Sequence, residues 1–283
     1  MNIPVAAEII GHIGAFPITN AYLNSSIVTV LFIIFSLVLN KQLKKIPSKL
    51  QNGFEVILEF LLSYFDRVTG STEKSKKFLP IVGTLFLFIL CSNWFGLVPG
   101  NGTIGIWQFV HGKLELVPVL RSAGSDLNLT VAMALLSVIT SHVIGMMTLG
   151  FFVHWNKFIQ IGTIWNAIKS MKPVAILVAL VEFVVGFIEL FSEAAKVVSL
   201  SLRLFGNIFA GEVLLTVISS LISVAIPLPF MFLELIVGVI QATVFSMLTL
   251  VYLTTMTTKH ASQDHDTRDE NVSDYNVEIK AAH

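Results

Sequence analysis

Seven polar residues interrupt an apolar stretch in the second half of the chain: Glu182, Glu189, Glu193, Lys196, Arg203, Asn207 and Glu212. The first six follow one another at spacings of 7, 4, 3, 7 and 4 residues. On a helix turning about 100° per residue they fall within roughly 80° of one another, so they form one stripe. Glu212 lies off that stripe by roughly a third of a turn. Carboxylates set in a row can pass protons among themselves and ordered water. The arginine cannot take part, because a guanidinium keeps its charge at any physiological pH.

A charge at the centre of a bilayer costs at least about 2.5–3.5 kcal/mol, so such residues face water or a partner and mark functional paths. Pairing within the helix is the competing explanation. Glu193 and Lys196 stand at i,i+3 and Glu189 and Lys196 at i,i+7, so for Glu193 and Lys196 internal pairing and a pathway role stay equally open. For Arg203 pairing fails, since no acid lies three or four residues to either side. Its counter-charge has to come from elsewhere in the chain or from another chain.

The elements that position these groups belong to a membrane protein. Of 283 residues, 54% are hydrophobic and 13% charged, with no net charge and a mean hydropathy of +0.81. No soluble domain of this size can hide so much apolar side chain. The pattern predicts an all-α polytopic membrane protein with about five membrane helices, near 21–40, 78–98, 127–155, 174–220 and 228–258. Residues 1–20 read as an external N-terminal segment, 21–258 as one membrane domain, and 259–283 as a polar cytoplasmic tail. The first twenty residues lack the basic start and compact apolar core of a signal peptide, so insertion is expected to rely on the first span.

Pro227 and Pro229 mark a turn, which makes the last two helices a hairpin. No proline occurs between Pro173 and Pro227. A helix over 175–219 would be about 66 Å long against about 30 Å of hydrocarbon, so it has to lie steeply tilted. Two spans with a turn near Ser192–Ser201 are the alternative, which gives no reason for the stripe to keep its helical phase through that region.

Basic residues crowd the linker between the first two spans, among them Lys41, Lys44, Lys45, Lys74 and Lys77, and recur at Lys157, Lys169 and Lys172. The segment between the second and third spans carries only Lys113 and Arg121. The N-terminus is therefore expected outside and the tail inside. Residues 51–67 form an amphipathic helix with Glu55, Glu59, Ser63 and Asp66 on one arc, lying either on the membrane surface or partner, or against the protein's own inner face.

Folding the hairpin about 222–225 sets Glu212 level with Glu234 and Arg203 level with Gln241. Glu182, Glu189 and Glu193 then lie toward the inside, Glu212 and Glu234 toward the outside, and Arg203 between them. Two acidic paths divided by a fixed cation cannot pass a proton directly from one to the other. A moving carrier with its own carboxylate has to bridge them.

Other candidates point elsewhere. His142 has no acid at i±3 or i±4 and reads as a packed or water-bonded imidazole, while His12, His111 and His154 fall at ends or in loops and read as ordinary. The single cysteine, Cys91, reads as core packing and excludes an intrachain disulfide or a Cys-based metal centre. No GxxxxGK[ST] loop is present and the linkers are short, which argues against a nucleotide site.

The segment Ser199-Leu-Ser-Leu-Arg203-Leu-Phe-Gly-Asn207-Ile-Phe-Ala-Gly-Glu212 resembles the signature of subunit a of F-type ATP synthases. Ile240 to Leu253 is similar to that family's last helix, and Asn93 to Pro99 and Ser125 to Asn128 match its second and third spans. The resemblance covers roughly 20–256. It implies that Arg203 faces the carboxylate of a rotating ring of c subunits and prevents a proton short-circuit. It implies that Asn207, Glu212, Glu234 and Gln241 line the outward half-channel with Asp126 near its mouth, and that Glu189, with Ser199, serves the cytoplasmic one.

The resemblance further implies a non-nucleotide-binding subunit of a proton-transporting ATP synthase, not catalytic alone, in a bacterial inner membrane. Its implied partners are the c ring, the peripheral-stalk b subunits, the rest of the F1Fo complex and the lipid bilayer, with no cofactor, metal or nucleic acid. Glutamates stand at both 212 and 234, where family members can carry a histidine at one. Roles for Glu182, Glu193, Lys196 and the tail do not carry over. A self-contained transporter would show repeated halves and interrupted helices, which the sequence lacks. A purely structural scaffold leaves Arg203 without a partner.

Overall fold

The computed structural model describes residues 7–42, 47–98, 105–110, 113–159, 173–221 and 226–258. The turn 222–225, the linker 160–172 and the tail 259–283 expected from the sequence lie outside the described residues. Among the described residues seven helices carry the frame: α1 (Asn20–Gln42), α2 (Lys49–Thr69), α3 (Thr72–Gly96), α4 (Leu127–Leu149), α5 (Phe151–Ile159), α6 (Pro173–Leu221) and α7 (Pro227–Thr257). Among the described residues α1, α3, α4 and α7 are long and apolar enough to cross a membrane by length and composition. The chain is thus a multi-pass membrane protein of the all-α class.

Two small hairpins depart from the expected all-helical pattern. β1 (Ile9–Ile13) pairs antiparallel with β2 (Phe16–Thr19) around Gly14, whose φ of 63° favours glycine. β3 (Gly105–Val110) pairs antiparallel with β4 (Lys113–Pro118) in the segment between α3 and α4.

The amphipathic helix reaches the core. α2 starts at Ser48, whose hydroxyl accepts the Gln51 amide at 3.4 Å, and ends at Gly70, a left-handed residue with φ 67°. Leu61 and Phe65 are fully buried while Val56, Ile57 and Phe60 stay exposed. The helix therefore packs on the protein's own face and keeps a second apolar strip outward.

The third apolar run is two helices where one over 127–155 was expected. Gly150 stops α4 with φ 89°, a conformation strained for any other residue. Its N–H still bonds the Met146 carbonyl at 2.9 Å, while its own carbonyl accepts the His154 amide at 3.0 Å and opens α5. α5 folds back onto α6, where a Cβ on Gly186 would run into the Phe158 carbonyl.

α6 runs 49 residues without a break, through the region where a turn was the alternative. At 1.5 Å per residue that is about 74 Å. Leu200, Leu204 and Ile208, with Val197 packed beside them, carry it into the main core that also holds Phe86 and Ile89 of α3 and Phe245 and Leu250 of α7. α7 begins at Pro227, a first-turn position where the missing amide donor is no loss. α4 is tied to α7 by a buried bond from the Ser137 hydroxyl to Thr249 Oγ1 at 2.8 Å.

Gly186→Val should force α5 off α6. A stability loss of about 1–3 kcal/mol, the usual range for overpacking, is expected in mixed-micelle unfolding. A wild-type midpoint would mean that the α5–α6 contact is not held.

Candidate functional site

Three places on α6 gather the polar residues that the sequence singled out. The first is a cavity of about 140 Å³ where α3, α6 and α7 meet the segment before α4. That is room for several water molecules, each taking roughly 30 Å³ in the liquid. Asn93, Arg121, Ser122, Glu212 and Glu234 give it polar walls. Asn93 Nδ2 and Ser122 Oγ are buried and meet no hydrogen-bonding atom among the described residues.

Arg121 is the anchor of this cavity. It is 4% exposed, and its Nε donates to Glu212 Oε1 at 2.9 Å and Oε2 at 3.1 Å. Its guanidinium sits over the Phe209 ring at 5.9 Å. Its backbone carbonyl accepts from Asn24 Nδ2 at 2.7 Å, which ties the segment to α1. Glu234 comes in from α7 against Gly211, where any Cβ would collide with its carboxylate. The missing side chain at 211 is what lets Glu212 and Glu234 line one cavity, at the level that the hairpin arithmetic gives them.

The second place is an open face. Ser199, Arg203, Gly206, Asn207 and Ala210 are all exposed and recur at helical spacing. A Cβ built on Gly206 would meet nothing. Among the described residues the ion pairs are made by Arg121, His142 and Lys196, and none involves Arg203. Small residues flank a fixed cation on a face that none of the described residues covers.

The third place, centred on Glu193, lies nearly three turns before Arg203. Glu193 is 7% exposed; its Oε1 accepts from Lys196 Nζ at 2.6 Å and its Oε2 faces His142 Nε2 at 3.4 Å. His142 Nδ1 in turn lies 3.1 Å from His154 Nε2. Lys196 Nζ stands 5.0 Å above the Tyr252 ring. Glu189, one turn earlier on α6, and Glu182 are half-buried.

The expected site residues are therefore not one cluster. Glu212 and Glu234 come together, while Arg203, Asn207 and Ser199 share the open face. Gln241 is half-buried on α7 and does not line the cavity. Asp126 is buried as the N-cap of α4, accepting the Asn128 amide at 2.9 Å, and does not line the cavity either.

The sequence reading passed over three residues. Arg121 is the only charged residue between Glu115 and Asp126, a signal that marks it out in retrospect. His142 reads as a packed or water-bonded imidazole and His154 as ordinary because their partners are not neighbours in sequence. In the structure His142 joins an acid on α6, and His154 is buried at 2% exposure.

Comparison with known proteins gives the family. The family model described as ATP synthase A chain matches residues 22–254. The chain is 32% identical over 253 residues to a protein of Propionigenium modestum named ATP synthase subunit a, sodium ion specific, covering 89% of this chain and 78% of that one. It is 30% identical over 242 residues to ATP synthase subunit a of Moorella thermoacetica strain ATCC 39073 / JCM 9320, covering 86% and 92%.

Arg121→Met leaves the Glu212 carboxylate without its guanidinium. A loss of about 3 kcal/mol is expected, the low end for breaking a buried pair, because the Glu212 side chain keeps 26% of its surface open. Arg121→Met with Glu212→Leu should recover most of it in mixed-micelle unfolding. Losses that simply add in the double variant would show that the pair is not coupled.

Proposed function

This chain belongs to the ATP synthase A chain family, and from that premise we propose that it is the proton-translocating stator subunit of a rotary F-type ATP synthase. The observation that carries the reading is Arg203, exposed on α6 between the Glu212–Glu234 cavity and the Glu193 cluster, with no ion-pair partner among the described residues. The fixed charge needs an anion from outside the chain. A ring of c subunits, each with one membrane carboxylate, supplies it in turn.

The cycle follows from placement. With the N-terminus outside and the tail inside, the Glu212–Glu234 cavity with Asn207 and Gln241 forms the outward half-channel, with Asp126 near its mouth. Glu189 and Ser199 belong to the inward one. A carboxylate on the ring takes a proton from the outward path and turns through the lipid in its neutral form. It gives the proton to the inward path and meets Arg203 as an anion. Arg203 separates the two paths, so protons cross only by rotation. The driving force is roughly 2.3 kcal/mol per charge for each 100 mV, plus the pH gradient.

The small residues Ser199, Gly206 and Ala210 let a ring helix approach closely. α6 counts as the fifth membrane helix, steeply tilted, and α2 with the inner linkers offers a surface for the peripheral-stalk b subunits. The chain binds no nucleotide and depends on the rest of the complex, in a bacterial inner membrane, for ATP chemistry. A sodium-driven version of the cycle is the second reading, favoured by the name of the Propionigenium modestum relative.

Arg203→Ala in the complete complex, reconstituted in liposomes, should lower ATP-driven proton pumping by roughly 10²-fold or more, the scale of losing a preorganised charge. ATP hydrolysis in detergent should survive. Pumping that persists in this variant, or proton flux through the isolated chain, would sink the stator reading. Pumping of sodium ions by the wild-type complex, without proton uptake, would favour the second one.

A further inference from the structure

Four helices contribute to the cluster around Glu193, and its atoms are connected in an ordered way. His154 comes from α5, His142 from α4, Glu193 and Lys196 from α6, and Tyr252 from α7. His154 Nε2 lies 3.1 Å from His142 Nδ1, and the opposite nitrogen of the same ring, Nε2, lies 3.4 Å from Glu193 Oε2. The other oxygen of Glu193 is held by Lys196. Each interior member of the chain thus uses one polar atom toward one neighbour and its second atom toward the next.

Packing fixes this order. His154 fits because position 145 is glycine: a Cβ there would stand 2.9 Å from His154 Cε1 and 2.9 Å from the Met256 carbonyl. Gly150 turns α5 back, and Gly186 lets it lie on α6. Three glycines therefore work together to bring an imidazole from a separate helix into line with a glutamate on α6. Simple core filling has no need of a second imidazole in that place.

We infer that His154, His142 and Glu193 form a proton relay of the inward half-channel, carrying protons between the inner side of the membrane and the ring carboxylate beside Arg203. The inference rests on the stator reading and assigns to that reading residues which the family resemblance did not supply. Imidazole is the side chain able to accept and release protons in the physiological pH range. In the working tautomer His142 accepts at Nδ1 and donates from Nε2.

A proton on His154 moves from its Nε2 to His142 Nδ1, while the proton on His142 Nε2 moves to Glu193 Oε2. Charge and protons balance, since His154 ends neutral, His142 neutral and Glu193 protonated. Glu193 then releases its proton toward the open face at Ser199, and the carboxylate returns to Lys196. His142 resets by giving up its Nδ1 proton and taking one at Nε2 through water, to which its 23% side-chain exposure gives access. In synthesis the same atoms run from the ring carrier toward His154. Among the described residues the charged and titratable groups facing the imidazole pair include Glu193 and Lys196 from α6, with Tyr252 of α7 behind Lys196. Such a wire passes protons and offers a sodium ion no coordinating path.

The test uses the complete complex in liposomes, with F1-stripped vesicles for passive flux. His142→Gln keeps a polar side chain but cannot relay, and Glu193→Gln removes the acceptor. Passive proton flux and ATP-driven pumping are expected to fall by about tenfold or more in each, in the range of positioned proton-transfer groups. The dependence of flux on inner-side pH should flatten, and millimolar free imidazole on that side should restore flux in His142→Gln. A structural role moves neither of the last two readouts.

Subunit composition after purification identifies any variant that fails to assemble, and His154→Gln then replaces it. Wild-type flux and an unchanged pH profile in assembled His142→Gln or Glu193→Gln would overturn the relay. So would sodium-carried flux that ignores all three residues. Arg203→Ala separates the two levels: if it still pumps, the stator reading fails; if it stops pumping while the relay variants match wild type, only the relay fails.

Discussion

A guanidinium that cannot give up its proton has to be kept out of hydrocarbon, and the position of Arg203 constrains everything around it. It cannot be tucked into the core, because no carboxylate of the described residues pairs with it. It cannot face lipid. In the proposed stator reading what remains is a face reserved for a charged partner, and the shape of α6 suits one. Leu200, Leu204 and Ile208 grip the core on one side of the helix while Ser199, Gly206 and Ala210 keep the other side low.

The other charges on α6 are handled differently, and the contrast explains their geometry. Glu193 pairs locally with Lys196, three residues on, so the helix itself supplies the counter-charge. Glu212 pairs with Arg121, 91 residues away in sequence, so its stability depends on how the segment before α4 is seated. That segment is fixed at both ends: Asn24 holds the Arg121 carbonyl, and Asp126 caps α4. Gly96 allows the close approach, since a Cβ there would stand 2.6 Å from Ser122 Cβ. A buried ion pair is retained at a cost in desolvation. Here that cost places a carboxylate at the wall of a cavity able to hold water.

Much of this architecture could be read from the residues. The stripe of Glu189, Glu193, Lys196 and Arg203 needs only a 3.6-residue period, and the unbroken 49-residue α6 follows from that stripe keeping phase. The level of Glu212 with Glu234 needs only the prolines at 227 and 229. Contacts that depend on a change of chain direction were not legible. Gly150 gives no warning that it will take φ 89° and fold nine residues back, so His154 looked like a helix end. Arg121 sat in a segment without periodicity, and its partner lies on a helix far along the chain. The β3–β4 hairpin was missed for a related reason: in a chain dominated by apolar runs, a short alternating stretch is a weak signal.

In the proposed cycle the two sides of Arg203 solve one problem by different means. On the Glu212–Glu234 side the protein leaves a space of about 140 Å³ with amide, hydroxyl and carboxylate walls, so water can complete the path. On the Glu193 side the polar atoms already stand 3.1 and 3.4 Å apart across three helices, so side chains complete it. A water path tolerates small shifts of its walls, whereas a side-chain wire does not. The packing agrees with that difference: His154 is held against Gly145 of α4 and its helix lies on Gly186 of α6 through Phe158, while Glu212 keeps a quarter of its side-chain surface open. The rigid half of the proposed path lies where α5 is pressed against Gly145 of α4 and Gly186 of α6. The compliant half lies where a loop closes over a helix.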